Sequence, residues 1–519
     1  MPTPSAPRRR ALKQLSALSL VPLLPFAADF ARAAATSLHA LPRMALVIGN
    51  GRYGAAPLVN PANDAKAIAA ALKQTGFAVD LQLDAKKAAM EEAIRGFAAS
   101  LGKQPAVGLF YFAGHGLQLS WRNFLVPVDA ALNKADDVPK QAVDIGALLE
   151  GLGRAKNPMN IIILDACRDN PFDVELRTGK GLSQMDAPIG TLLAYATAPG
   201  NTASDGSGAN GLYTENLLRE MRAPQARIED IFKRVRLSVR RASSGRQIPW
   251  ESTSLEDDFY FLPPPELKKL SQEELNRQFA EELGVWEKAQ GATATAPIED
   301  YMRRYPSGRF TELAQVRLDK LLAQQGEKKV QVVSAAANPF SKGTAVANLN
   351  HRVGDRYVYR TIDLLTKIVG AQRVLRVTEV TDSEVVYNDG MLITDLLGNY
   401  LRRPDGGISG PSQFFATEYS VGRKWSTRYS IKTPRGPATI EYDLVVVGRE
   451  TITVPAGTFD CFRVEAAGWT LEISQKNDAT YWVAPGKVPR SVAIENLWRR
   501  GNRIVRSDRD ELVSYTPAS

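Results

Sequence analysis

The 519-residue chain exceeds what one hydrophobic core usually holds, so roughly two to four domains are expected. Its 44% hydrophobic and 23% charged residues exclude a disordered or collagenous chain. Of the net charge of +9, +4 lies in the first 33 residues, and the +5 spread over the rest is too diffuse to indicate a nucleic-acid partner.

The N-terminus, residues 1–33, reads as an export signal. Basic Arg8, Arg9, Arg10 and Lys13 precede a moderately apolar stretch that ends in Ala31-Arg32-Ala33, an A-x-A cleavage pattern. That stretch is too short, and too interrupted by Pro22, Pro25 and Asp29, for a stable membrane span. The paired arginines resemble a twin-arginine signal, with Ala11 where that pattern prefers an aromatic residue; a general secretory signal is the alternative. Either implies an exported, periplasmic protein. Two cysteines, Cys167 and Cys461, are too few for a disulfide scaffold.

Residues 43–262 alternate strand and helix. "MALVIG" is a buried strand, "NDAKAIAAALKQTG" a helix stopped by Gly76, and "FAVDLQL" a second strand. A helix around Met90 to Leu101, strand "VGLFYFA", helix "VDIGALLEGLG" and strands "IIILDA" and "TLLAYAT" follow. This order predicts an α/β fold, a mostly parallel sheet with helices on both faces. Near its end "KRVRLSVRR" overlaps the apolar spacing Ile228, Ile231, Phe232, Val235, Val239, which predicts an amphipathic helix with a solvated basic face.

Pro263, Pro264 and Pro265 close that region. Residues 263–324 read as a helical spacer and 325–353 as a linker. From 354 to 515 short runs rich in Val, Ile, Thr and Tyr alternate with turns, which predicts an antiparallel β-rich domain, a sheet or half-barrel. Cys461 falls on one of these strands as a half-buried small apolar side chain.

Of three histidines, His39 sits in a segment expected to be mobile, whereas His115 follows an apolar strand between Gly114 and Gly116. A strand-to-loop exit there places its imidazole at the carboxyl edge of the sheet, where open α/β proteins bind ligands. Cys167 leaves "IIILDA" at the same kind of edge. If the two strands are neighbours, the imidazole accepts the thiol proton and favours the attacking thiolate. The N–H groups of Gly116 and Cys167 are then candidates for an oxyanion hole. Spacing alone is equally compatible with a buried structural cysteine and a histidine in a tight turn.

"MALVIGNGRYGAAPLVNPANDAKAIAAALKQTGF", "GLFYFAGHG" and "IIILDACRDNPF", in that order, resemble the caspase-like cysteine peptidases, and within them the bacterial homologues related to metacaspases. The resemblance implies a caspase-like fold for 43–262, with His115 as catalytic histidine and Cys167 as nucleophile. No third triad member is assigned in this family, and a backbone carbonyl is the alternative that orients the imidazole. The resemblance also implies that Asp64 and Asp165 line the pocket for the residue before the scissile bond, which suits arginine or lysine. As alternatives, Asp64 caps its helix and Asp165 is a strand-end acceptor. Segment 173–190 corresponds to the intersubunit loop, with Arg177 and Lys180 as candidate self-cleavage sites.

The implied partners are proteins or peptides carrying basic residues, and the chemical step requires no cofactor or metal. Some relatives need calcium; no ligand cluster of matching oxygen spacing is visible here, and calcium activation stays open. A second reading is a non-catalytic envelope scaffold in which the β-rich domain meets an unknown partner.

Overall fold

The computed structural model describes residues 38–167, 181–199, 201, 208–266, 270–330, 338–339, 341–433 and 436–518. The export signal and the candidate cleavage sites Arg177 and Lys180 lie outside them.

The apolar run after Pro42 becomes β1 (Arg43–Gly49), most of it buried, as a strand between two helical layers must be. α1 (Pro61–Gln74) opens on proline, whose missing N–H would have no intrahelical partner there, and Gly76 at φ +86° supplies the left-handed residue beyond its end. β2 (Phe77–Leu83), α2 (Lys87–Leu101), β3 (Val107–Leu119), β4 (Arg122–Leu125), α3 (Val138–Gln141), β5 (Val143–Asp144), α4 (Ile145–Ala155), β6 (Met159–Cys167), β7 (Thr191–Tyr195), α5 (Leu212–Met221), α6 (Ile228–Ala242) and β8 (Trp250–Thr253) follow.

The strand order is β2-β1-β3-β6-β7-β8, parallel except for β8. α1, α5 and α6 cover one face through side chains such as Ile68, Leu217 and Phe232; α2 and α4 cover the other through Ile94 and Leu148. β1 is followed by β2 on one side and β3 on the other, so the carboxyl ends of β1 and β3 diverge into a crevice.

α7 (Gln272–Gln290), α8 (Ala296–Arg304) and α9 (Thr311–Gln324) pack around Trp286, Tyr301, Phe310 and Leu318, with Leu237 of α6 in the same cluster. The basic face of α6 is therefore not solvated as its spacing predicts. Arg240 is buried against Asp319 and Glu327, Arg241 meets Glu299, and the Lys233 ammonium donates to Ser307. An amphipathic pattern names the apolar face but not what covers the polar one.

After β9 (Thr344–Val346) come β10 (Arg356–Asp363), β11 (Val369–Val380), β12 (Glu384–Tyr387), β13 (Leu392–Asp395), β14 (Tyr400–Arg402), β15 (Ile408–Ser409), β16 (Glu418–Ser420), β17 (Lys424–Thr433), β18 (Gly436–Val454), β19 (Gly457–Thr470), β20 (Gln475–Val483), β21 (Ala493–Arg500) and β22 (Arg503–Thr516). β9 pairs with β16; the other described strands form a closed barrel, sealed where β10 meets β22. The expected sheet or half-barrel is thus a full closure, which removes the unpaired edges an open sheet exposes.

Glu312 in the first turn of α9 ties the helices to the barrel. Its carboxylate accepts from the Thr417 N–H at 2.7 Å and hydroxyl at 2.6 Å, and from Arg423 at 2.5 Å. Burial pushes this carboxyl up, but the guanidinium and the Thr417 bonds outweigh it and hold it below the ordinary glutamate range. A depressed folded-state pKa stabilises the fold above the unfolded value, about 4.3, and that stability is lost as pH falls below it. Glu312→Gln is expected to cost about 3 kcal/mol at neutral pH, in the range for breaking a buried pair. Denaturant unfolding followed from neutral to acidic pH should show wild type and variant converging as pH drops through that region.

Candidate active site

β3 does not end where its apolar run ends. His115 lies inside the strand rather than at the predicted loop exit, because β3 pairs parallel with β6 through His115 and then turns to pair antiparallel with β4 from Gly116 onward. Gly114, at φ +152°, makes the change of partner; a Cβ there would stand 2.6 Å from the Tyr53 hydroxyl. In the register of β3 on β6, His115 is the direct partner of Cys167, so their backbones are one strand spacing, about 4.8 Å, apart.

The imidazole is buried, 3% exposed. Its Nε2 lies 2.7 Å from the carbonyl oxygen of Ala56. A carbonyl only accepts, so Nε2 carries the proton and the lone pair of the neutral ring falls on Nδ1. Tyr53 braces the same residue: its hydroxyl accepts from the His115 N–H at 2.9 Å and donates to Val126 O at 3.1 Å, with the two rings 4.5 Å apart. Both Tyr53 and Ala56 belong to the loop after β1, and Ala56 takes φ +53°. Ala56 acts through its backbone, which no side-chain pattern reveals; Tyr53 is an aromatic in "GNGRYG" that no periodicity or charge pattern marks.

Asp64 and Asp165 both reach the start of α5. Asp64 Oδ1 accepts from the Gly211 N–H at 3.0 Å and from the Asn210 amide at 2.8 Å. It does not occupy the N-cap of its own helix, which falls to Asn60. Asp165 Oδ2 accepts from the Thr214 hydroxyl at 2.6 Å and lies 3.3 Å from the Tyr111 hydroxyl, itself 2.7 Å from Thr214. The positive end of α5 suits both carboxylates. Burial first, then the charges of Asp165 and Asp64, push the Tyr111 phenol well above its ordinary value, so it stays protonated between them. Thr214 and Tyr111 complete this cluster, and neither stood out in the sequence.

Gly116 is closely surrounded: a Cβ there would sit 3.0 Å from both Ala166 and Leu182, tighter than ordinary side-chain contact. Leu182 begins a segment that runs outward from the site. Ser183 exchanges hydrogen bonds with Asn123 of β4, Gln184 donates to Thr344 of β9, and Asp186 accepts from Ser341. Residues expected to be a plain linker before the barrel therefore grip the chain close to His115. Asn338 adds a bond to Gln184 O.

His39 is not in an open segment either; its ring is 6.2 Å from that of Phe259 and 5.3 Å from that of Tyr260. Cys461 is buried in β19, and burial, then Asp460 and Glu450, push its thiol up to about 12. Among the described residues no group of three or more His, Cys, Asp or Glu side chains is placed to hold a metal ion.

Residues 42–260 match the family model described as the caspase domain, and residues 411–497 match one described as a protein of unknown function, DUF3108. Over 180 residues the chain is 30% identical to the human mucosa-associated lymphoid tissue lymphoma translocation protein 1 and to its mouse homolog, which is 34% of this chain and 21% of each relative. The chain thus spans about a fifth of the length of these curated relatives.

Three outcomes are expected. Gly114→Ala should destabilise the chain by about 2 kcal/mol or more, read as a lowered thermal midpoint, because the strained φ and the contact with Tyr53 leave no room for Cβ. Gly96→Ala, inside α2 where a Cβ meets nothing within 4 Å, should stabilise by about 0.5 to 1 kcal/mol in the same assay. In native protein at pH 8, iodoacetamide should leave Cys461 unmodified and reach it only after denaturation; rapid native labelling at that position, read by peptide mass, would contradict its burial.

Proposed function

We propose that the caspase-like peptidase domain of residues 42–260 is a cysteine endopeptidase that cleaves after arginine or lysine, with Cys167 as nucleophile and His115 as its base and acid. The observation that carries this reading is the pairing of His115 with Cys167 across β3 and β6, combined with a tautomer that leaves the basic lone pair on Nδ1. In this mechanism His115 takes the thiol proton through Nδ1, and Ala56 O stabilises the imidazolium by holding its Nε2–H. The thiolate attacks the carbonyl carbon, the imidazolium returns the proton to the leaving amine, and water hydrolyses the thioester. The amides of Gly116 and Cys167 receive the oxyanion, the glycine allowing the close backbone approach that this needs.

Asp165 and Asp64 recognise the basic side chain of the substrate. Two features support this: the carboxylates flank Tyr111 at the carboxyl edge of the sheet, and Asp165 is two residues before Cys167. Ion-pair hydrogen bonds with such carboxylates contribute about 1.5 to 3 kcal/mol each, enough for selectivity of roughly tenfold to a hundredfold. The proposed setting is the periplasm after export, and the chemistry uses residues of this chain alone.

The test is a positional-scanning peptide library on the purified mature chain. Cleavage after Arg or Lys is expected, with complete loss in Cys167→Ala and His115→Ala. Asp165→Asn should lower kcat/KM on arginine substrates on the order of tenfold to a hundredfold relative to alanine substrates, with the unfolding temperature as control. No cleavage of any peptide, with or without calcium, would overturn the catalytic reading and leave the scaffold alternative.

A further inference from the structure

One end of the barrel is built from features that a protein kept in free solution avoids. The β10–β11 hairpin exposes Leu365 and Ile368, 63% and 67%, and the neighbouring β21–β22 hairpin exposes Ile504 and Val505, 41% and 43%. These hairpins lie side by side, since β10 pairs with β22 and the Leu364 N–H donates to Ser507 O beyond that ladder. In the next hairpin, β19–β20, Trp469 is 44% exposed. Scattered exposed apolar residues are ordinary, whereas a set collected on adjacent turns at one end marks a contact surface.

Cations outnumber carboxylates at this end: Lys367, Lys476, Arg499, Arg500 and Arg503 stand against Asp363, Glu472 and Asp478. The ladders align Trp469, Lys476, Arg499 and Ile504 as direct partners across four strands. Below the last turn, Arg500 and Arg503 are direct partners. Like charges opposite each other destabilise a hairpin, and here they do so twice, at Lys476–Arg499 and Arg500–Arg503. Asp478 offsets the first pair, at 3.4 Å and 3.2 Å. Arg500 and Arg503 have no carboxylate within ion-pair distance among the described residues, whereas Asp363 partly offsets Lys367 on the neighbouring turn. An anionic counter-surface is what relieves this arrangement.

The geometry points to an anionic lipid surface: we propose that this end of the barrel docks on a bilayer, with the hairpin tips inserted among the headgroups and the arginines and lysines at the phosphate level. A second copy of the chain fits worse, because a two-fold contact would press the same basic rows together. A folded acidic partner would need a continuous matching face, whereas separate projecting turns suit a fluid surface. No helix among the described residues is long and apolar enough to cross a membrane, which is compatible with peripheral docking through strands and turns.

Flotation of the full chain with vesicles tests this, using phosphatidylcholine alone and an equimolar mixture with phosphatidylglycerol, each at low and high salt. Binding to the anionic vesicles is expected, weakened by salt and absent on the neutral ones. At about 1 kcal/mol per basic side chain, Arg500→Gln with Arg503→Gln should lower the partition coefficient about 30-fold. Leu365→Ser with Ile368→Ser should lower it as well, and both variants alter exposed turns and should keep the wild-type unfolding temperature. Equal binding to neutral vesicles, or no binding to either, overturns the proposal. So does self-association, or binding to polyglutamate without vesicle binding, that the same substitutions abolish; those results would assign the surface to a second copy or to an acidic protein.

Discussion

Parallel pairing of β3 with β6, in the register that sets His115 opposite Cys167, is the constraint on which the site depends. A slip of one residue would send every alternating side chain of β3 to the opposite face of the sheet. The register is pinned from several directions. Apolar side chains of both strands interlock with helices on both faces, β1 fixes the other edge of β3, and Gly114 and Gly116 allow β3 to leave the sheet for β4 only after the pair has formed. The loop after β1 then adds a hydroxyl on the His115 backbone and a carbonyl on its ring.

The barrel is attached to this arrangement through polar contacts rather than through a shared apolar core. Glu312 joins α9 to the segment before β16 and to Arg423, Gln413 donates to Gly308 O and Ser426 O, and Lys424 reaches Leu255 O. Separating such buried pairs leaves a charge uncompensated, which is costly. Polar contacts also hold residues 182–186. Leu182 packs against Gly116 while Gln184 and Asp186 are held by the stretch leading into the barrel. A chain of direct contacts therefore runs from the foot of the barrel to the residues flanking His115 and Cys167.

The carboxylates serve folding, and the proposed function assigns them recognition of the substrate as well. Asp64 and Asp165 satisfy donors at the start of α5, so removing either leaves buried polar groups unpaired. Asp165 also lies near the carboxyl end of β6, the edge at which an α/β sheet presents recognition groups. The folding role and the proposed recognition role draw on the same property, negative charge held beside the positive end of a helix.

Much of the α/β architecture was determined by the sequence itself, because buried parallel strands are written as apolar runs and their helices as periodic stripes: β1, β2 and β6 fall within a residue or two of the runs that predict them. His115 and Cys167 were legible as rare reactive residues next to such runs. What only the tertiary structure decided lies where a residue acts through backbone or through a distant partner. Ala56 contributes a carbonyl, β3 continues through His115 by changing partner, the basic face of α6 is covered by later helices, and the strands from β10 to β22 close rather than end in an open sheet. Periodicity records which side chains avoid water; it does not record which element, hundreds of residues away, excludes the water.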